Sequence, residues 1–119
     1  SPLALPMHLR ADRDIVFAAV CRDGLALAHA SDELRADAAV VLEAVCNNGL
    51  ALGYAGAELR KDREIVLEAV KHNGMALEFA SPGLRESHLI AGTAVRKNGA
   101  AFKFALGAAL EDRSLALHA

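Results

Sequence analysis

The side chains that could act as nucleophiles, proton carriers or metal ligands are few and widely spaced in this 119-residue sequence. Five histidines are present, and no two of them stand in the H-x₃-H or H-E-x-x-H spacing typical of zinc sites. The two cysteines, Cys21 and Cys46, lie far apart, and neither a glycine-rich phosphate loop nor a Ser/His/Asp arrangement is found. We therefore predict no catalytic residue, no metal ion and no cofactor, and we do not expect an enzyme.

A regular row of arginines is the strongest polar pattern in the sequence. These arginines are Arg10, Arg35, Arg60 and Arg85, and an aspartate stands two residues after the first three. Stacked on one another, their guanidinium groups would form a row of ion pairs with Asp12, Asp37 and Asp62, which is a structural role. A basic row that binds an acidic partner is the alternative, and both interpretations stay open at this point.

A repeat of 25 residues positions all of these side chains. Four copies follow one another without insertion or deletion, and a fifth begins and stops partway. The predicted divisions are an N-terminal extension, a four-repeat segment and a partial fifth repeat, with boundaries 1–8, 9–108 and 109–119. We number the four complete copies repeats 1 to 4; they are 9–33, 34–58, 59–83 and 84–108.

Each repeat carries start and stop signals for one helix. An aspartate precedes an apolar stripe with helical spacing, and its side chain is expected to cap the helix N-terminus in three repeats, at Asp12, Asp37 and Asp62. The stripe ends at an Asn-Gly or Asp-Gly pair. There the glycine is expected to adopt the left-handed conformation that ends a helix, at Gly24, Gly49, Gly74 and Gly99. These signals predict a helix of roughly 11 residues per repeat.

A shorter apolar segment after each glycine predicts a second helix of about two turns, or a 3₁₀ turn. Neither helix would be stable alone in water, so each must bury its apolar side against the next copy. We therefore expect an all-α fold, an α-solenoid of four helix–short-helix repeats plus a partial fifth. Packed helices lie roughly 8–10 Å apart, which exceeds the reach of a disulfide. Cys21 and Cys46 should therefore be free thiols.

Composition and charge exclude several classes of function. The chain contains 26 Ala and 18 Leu but no Trp, which favours helices over a β-sandwich or barrel. A net charge of −2 gives no general attraction to nucleic acid, and no apolar run is long enough for a membrane-spanning helix. The charge is uneven, however, because repeat 4 combines one acid with four basic residues: Arg85, Arg96, Lys97 and Lys103.

Repeats 2 and 3 follow the pattern LRxDxxxVLxAVxxNGxALxxA. This pattern resembles the repeat of a domain-of-unknown-function family found as tandem arrays in bacterial, protist and algal proteins. The match covers residues 9–108, and repeat 4 departs from it at Ser87 and Gly92 and at Leu106-Gly107. The resemblance implies a helical-repeat fold and no enzymatic activity.

We accordingly predict a non-enzymatic protein–protein interaction scaffold, a small subunit or adaptor of a larger assembly, with other protein subunits as partners. The partner is expected at the C-terminal end, at Leu110, Leu115 and Leu117 together with Arg96, Lys97 and Lys103. One alternative is an accessory subunit of an algal photosynthetic membrane complex, peripheral to the membrane and located in a plastid. The other is a helical-repeat nucleic-acid binder, although no nucleic acid is expected. The sequence leaves the compartment open.

Overall fold

The computed structural model describes residue 9 and residues 11–105, and this part of the chain is helical and contains no strand. The all-α prediction is therefore confirmed. The described α-helices are, in chain order, α1 (Arg13–Arg22), α2 (Asp32–Arg35), α3 (Ala38–Asn47), α4 (Arg63–His72), α5 (Pro82–Arg85) and α6 (His88–Lys97). The described 3₁₀ helices are Gly24–His29, Gly49–Tyr54, Leu59–Lys61, Gly74–Phe79 and Gly99–Phe104.

The four long helices α1, α3, α4 and α6 contain ten residues each, and each begins at a side-chain cap. The carboxylate of Asp62 accepts from the N–H groups of Glu64 and Ile65, at 2.9 and 3.1 Å. Asp12 and Asp37 cap α1 and α3 in the same way, so the predicted aspartate caps are confirmed. Ser87 does the same for α6, where its hydroxyl accepts from Ile90 N–H at 3.3 Å. Its presence in repeat 4 therefore preserves the cap.

One Asn or Asp joins each long helix to the 3₁₀ helix that follows. Asn73 has an extended backbone with φ of −152°, and its N–H donates to the carbonyl of Ala69 at 2.9 Å. Its side-chain oxygen also accepts from the N–H of Met75 at 3.0 Å. A single residue thus ends the α-helix and caps the 3₁₀ helix, and the equivalent residues are Asp23, Asn48 and Asn98.

The repeats contact one another in chain order. Helix α1 packs on α3, α3 on α4 and α4 on α6, and the six-residue 3₁₀ helices pack on one another in the same sequence. An aliphatic core lies between these two rows, built from Leu27, Leu52, Leu77 and a set of valines that are fully buried. Among the residues described, no polar or charged residue is buried as a whole.

The glycines that begin the six-residue 3₁₀ helices do not adopt the predicted left-handed conformation. None of the four, Gly24, Gly49, Gly74 and Gly99, has a positive φ. The first three are needed for another reason: a Cβ on each would overlap a backbone carbonyl oxygen of the next repeat, that of Ala44, Ala69 and Ala94 respectively. No described atom lies within 4 Å of the equivalent point at Gly99. Glycine therefore serves the close approach of repeats.

In repeat 2 and again in repeat 3, a backbone hydrogen bond links a residue near the end of the repeat to one near its start. The N–H of Gly56 donates to the carbonyl of Arg35 at 2.8 Å, and the N–H of Ser81 donates to that of Arg60 at 2.9 Å. Among the described residues, no helix is both long and apolar enough to cross a membrane. The predicted extension 1–8 and partial repeat 109–119 lie outside the described residues, so their boundaries stay predictions.

Candidate functional site

An apolar groove runs across the 3₁₀ helices of repeats 1 to 3, with a volume of about 420 Å³. Its lining includes the residues that follow the recurrent glycines and the aromatic residues that end two of these 3₁₀ helices. Leu25 and Tyr54 are 36% and 41% exposed, which is high for large apolar side chains. The complete lining consists of Leu25, Leu50, Gly53, Tyr54, Met75, Glu78 and Phe79.

Gly53 lines this groove next to Phe79. A Cβ on Gly53 would stand 3.0 Å from the ring of Phe79, closer than side chains normally approach. The bare backbone at Gly53 therefore lets the Phe79 ring of repeat 3 lie against repeat 2. Glu78 is the one charged residue among those that line the groove.

The residues predicted to bind a partner at the C-terminal end are placed only in part. Leu110, Leu115 and Leu117 lie outside the described residues. Arg96, Lys97 and Lys103 are exposed. The guanidinium of Arg96 donates to the hydroxyl of Thr93 at 3.4 Å, and the ammonium of Lys103 lies 5.2 Å from the ring centre of Phe104.

The arginine row does not form the predicted ion pairs with the capping aspartates among the described residues. Arg35 pairs with Asp32, three positions earlier at the end of repeat 1, and Arg85 Nε donates to the carbonyl of Phe104 in its own repeat at 2.8 Å. The Nε atoms of Arg35 and Arg60 are buried without a hydrogen-bond partner in the described part of the chain. Arg10 lies outside the described residues. The described arginines therefore make different contacts from repeat to repeat and form no ladder of ion pairs.

An ion pair joins Arg13 on α1 to Asp37, the N-cap of α3, with Nε and Oδ2 2.8 Å apart. The hydrogen bond from Arg13 lowers the pKa of Asp37, and the N–H groups of Val40 and Ala39 add to this effect, while partial burial opposes it. The carboxylate of Asp37 therefore caps α3 and binds α1 at the same time. The sequence did not single out Arg13, because it precedes the apolar stripe and recurs only as Arg63.

Thiols and carboxylates meet along the exposed side of the long helices. Cys21 Sγ donates to Glu43 Oε1 at 3.1 Å, and this hydrogen bond raises the pKa of Cys21. One repeat further on, Cys46 Sγ lies 3.9 Å from Glu68 Oε2, and burial is the first cause that raises the pKa of Cys46. Both cysteines are free, as the helix spacing predicts.

His72 completes a group of three around Cys46. Its Nε2 lies 3.7 Å from Glu68 Oε2, and the three potential ligand atoms of Cys46, Glu68 and His72 all lie within 4.8 Å of one another. The spacing search along the chain missed this group because its members come from two repeats, 22 and 26 positions apart. A register comparison of adjacent repeats would have found it.

A comparison of this chain with protein-family models finds one matching family. A family model described as "Domain of unknown function (DUF4116)" matches residues 5–35 and 37–85. Neither the curated proteins nor the solved structures contain a match to this chain.

Proposed function

The chain belongs to the DUF4116 family of domains of unknown function, and we propose that it is a non-enzymatic protein-interaction scaffold with a solenoid architecture. The observation that carries the proposal is the apolar groove across the 3₁₀ helices of repeats 1 to 3. Contiguous exposed apolar surface on a protein typically marks a contact with another protein or a ligand. Repeat proteins present such surfaces by varying side chains on a constant frame.

The groove is built in this way. Leu25, Leu50 and Met75 occupy one repeat position, and the aromatic rings of Tyr54 and Phe79 occupy another. The core next to them is the same in each of these repeats, because a third position holds a fully buried leucine: Leu27, Leu52 and Leu77. The apolar side chains that line the groove, of which Leu25 and Tyr54 are the most exposed, can therefore differ between repeats while the buried leucines stay the same.

The chemistry of the groove defines the partner segment. Its apolar lining favours a segment with apolar side chains, and exposed Glu78 in the same lining favours a basic residue beside them. A nucleic-acid partner has less support, because the charged residue of this groove is an acid. The C-terminal surface around Leu110, Leu115 and Leu117 lies outside the described residues and stays a separate prediction.

Site-specific photocrosslinking tests the proposal. A photoreactive phenylalanine analogue at position 54 should give a covalent adduct with one partner protein in an extract of the native source. The matched control is the same analogue at position 42, because Leu42 is similarly exposed, at 39%, but lies on α3 outside the groove. The partner is then purified and titrated against the wild-type chain.

We expect Tyr54→Ser to weaken the binding of that purified partner about tenfold, the loss typical of an aromatic residue central to an interface. Circular dichroism should remain unchanged, since Tyr54 is exposed. A folded Tyr54→Ser, Leu25→Ser double variant that binds as tightly as the wild type would overturn the groove as the binding surface.

A further inference from the structure

The cluster of Cys46, Glu68 and His72 has no role in the groove, because it lies on the long helices rather than on the 3₁₀ helices. Cys46 is on α3, whereas Glu68 and His72 lie on α4. Glu68 and His72 are four residues apart and therefore share one face of that helix. Packing of α3 on α4 adds the thiol from the neighbouring repeat.

We propose that these three side chains form a Zn²⁺ site across the boundary between repeats 2 and 3. Thiolate, imidazole and carboxylate are the three ligand types that zinc takes in proteins. A thiolate beside an imidazole also disfavours the hard cations Mg²⁺ and Ca²⁺, which prefer oxygen ligands alone. Three protein ligands leave the fourth tetrahedral position to water.

The distances are close to those that zinc needs. Tetrahedral coordination at the usual bond lengths places ligand atoms roughly 3.3–3.6 Å apart. Glu68 Oε2 lies 3.7 Å from His72 Nε2 and 3.9 Å from Cys46 Sγ, and no pair in the group exceeds 4.8 Å. Small rotamer adjustments of partly exposed side chains cover the remaining difference, since the Glu68 and His72 side chains are 33% and 45% exposed.

The nearby charges leave the required oxygen available. The ammonium of Lys71 lies 3.4 Å from Glu68 Oε1, whereas Cys46 and His72 both face Oε2. The Glu68 carboxylate can therefore retain its lysine contact and still offer its other oxygen. Glu43, one turn before Cys46 on α3, adds negative charge near the thiol and offsets the positive charge of Lys71.

The equivalent positions at the other described repeat boundaries provide natural controls. Between repeats 1 and 2 the residues are Cys21, Glu43 and Asn47, and the Asn47 amide is already engaged, accepting from Gly24 N–H at 2.7 Å and donating to Cys21 C=O at 3.2 Å. Between repeats 3 and 4 the residues are Lys71, Thr93 and Lys97. The complete ligand set therefore occurs at the middle of the three boundaries.

Metal titration of the reduced chain tests this site. We expect one equivalent of Co²⁺, used as a spectroscopic substitute for Zn²⁺, to give a thiolate-to-cobalt charge-transfer absorption that one equivalent of Zn²⁺ abolishes. Zn²⁺ should also raise the melting temperature relative to the chelator-treated chain, because binding to the folded state stabilises it.

Three variants assign the ligands. Cys46→Ser should abolish the charge-transfer band, and His72→Asn, which copies repeat 2, should weaken binding by at least about tenfold. Cys21→Ser should keep both the band and the affinity. All three positions are exposed, and circular dichroism verifies their fold. Absence of the band in the wild type, its survival in Cys46→Ser, full affinity in His72→Asn, or its loss in Cys21→Ser would each overturn the site.

Discussion

The glycine at the start of a six-residue 3₁₀ helix is required by the neighbouring repeat rather than by its own backbone angles. At Gly24, Gly49 and Gly74 the missing side chain lets one repeat reach the backbone carbonyl of an alanine in the next. A backbone atom cannot rotate away as a side chain can. Any larger residue must therefore separate the two repeats.

Alanine substitutions should distinguish glycines that contact the next repeat from glycines that do not, by their effect on the free energy of unfolding. Gly49→Ala should lower the free energy of unfolding by about 2–3 kcal/mol, because the new methyl group overlaps the Ala69 carbonyl. Gly83→Ala is the control, since Gly83 lies in α5 and no described atom lies within 4 Å of its added Cβ. It should be neutral or slightly stabilising, as alanine is favoured over glycine in a helix. Equal losses in urea denaturation would contradict the close-approach explanation.

The capping carboxylate of Asp37 should make stability depend on pH. Its pKa is lowered in the folded state from the ordinary value of 3.8, chiefly by the Arg13 hydrogen bond. A lowered pKa means that the stabilisation is complete above the unfolded-state pKa and is lost as the pH falls through the folded-state pKa. Asp37→Asn should therefore lower the melting temperature at pH 7 and have a smaller effect at acid pH. An effect of the same size at both pH values would contradict this assignment.

At the scale of elements, the sequence predicted the long helices and their aspartate caps because both depend on local signals. The Asn-Gly pair was misread because two structures share that signal. A left-handed glycine ends many helices, whereas here Asn73 is extended and its side chain caps the next helix. The groove and the Cys46 cluster could not be predicted from local sequence patterns, because their residues come from different repeats. Which side chains of neighbouring repeats come together depends on how the helices of one repeat pack against those of the next. Residue spacing within one repeat gives no information about that packing.

Replacing Gly92 by alanine should stabilise helix α6. Gly92 lies inside this helix, where glycine costs about 1 kcal/mol relative to alanine. A Cβ there would be 3.2 Å from a terminal nitrogen of Arg96, the far end of a flexible side chain that can move aside. Gly92→Ala should therefore raise the unfolding free energy by about 0.5–1 kcal/mol. A loss of stability in chemical denaturation would show that Arg96 is held in place.

At the scale of the whole molecule, the repeats contact their neighbours in chain order, so stability is distributed over successive boundaries. In solenoid proteins, the architecture proposed above, the total is approximately a sum of repeat terms and nearest-neighbour interface terms. A change at one boundary should therefore weaken one side of the stack without unfolding all of it.

Hydrogen exchange should show this directly. Gly74→Ala weakens the boundary between repeats 3 and 4, so amides of α6 should lose protection while those of α1 keep it. Gly24→Ala acts at the boundary between repeats 1 and 2 and should give the reverse order. Uniform loss of protection in both variants would mean that the repeats unfold as one cooperative unit.

The contact between glycine and the alanine carbonyl also bears on how such a chain can grow. Repeats 2 and 3 each contain both halves of the contact: a glycine that faces the following copy and an alanine carbonyl that receives the preceding one. A tandem duplication of such a 25-residue segment therefore inserts a copy that fits at both junctions without a compensating mutation. Gain or loss of a whole repeat in the gene therefore leaves these contacts intact. Selection can then act on the exposed positions of each new copy.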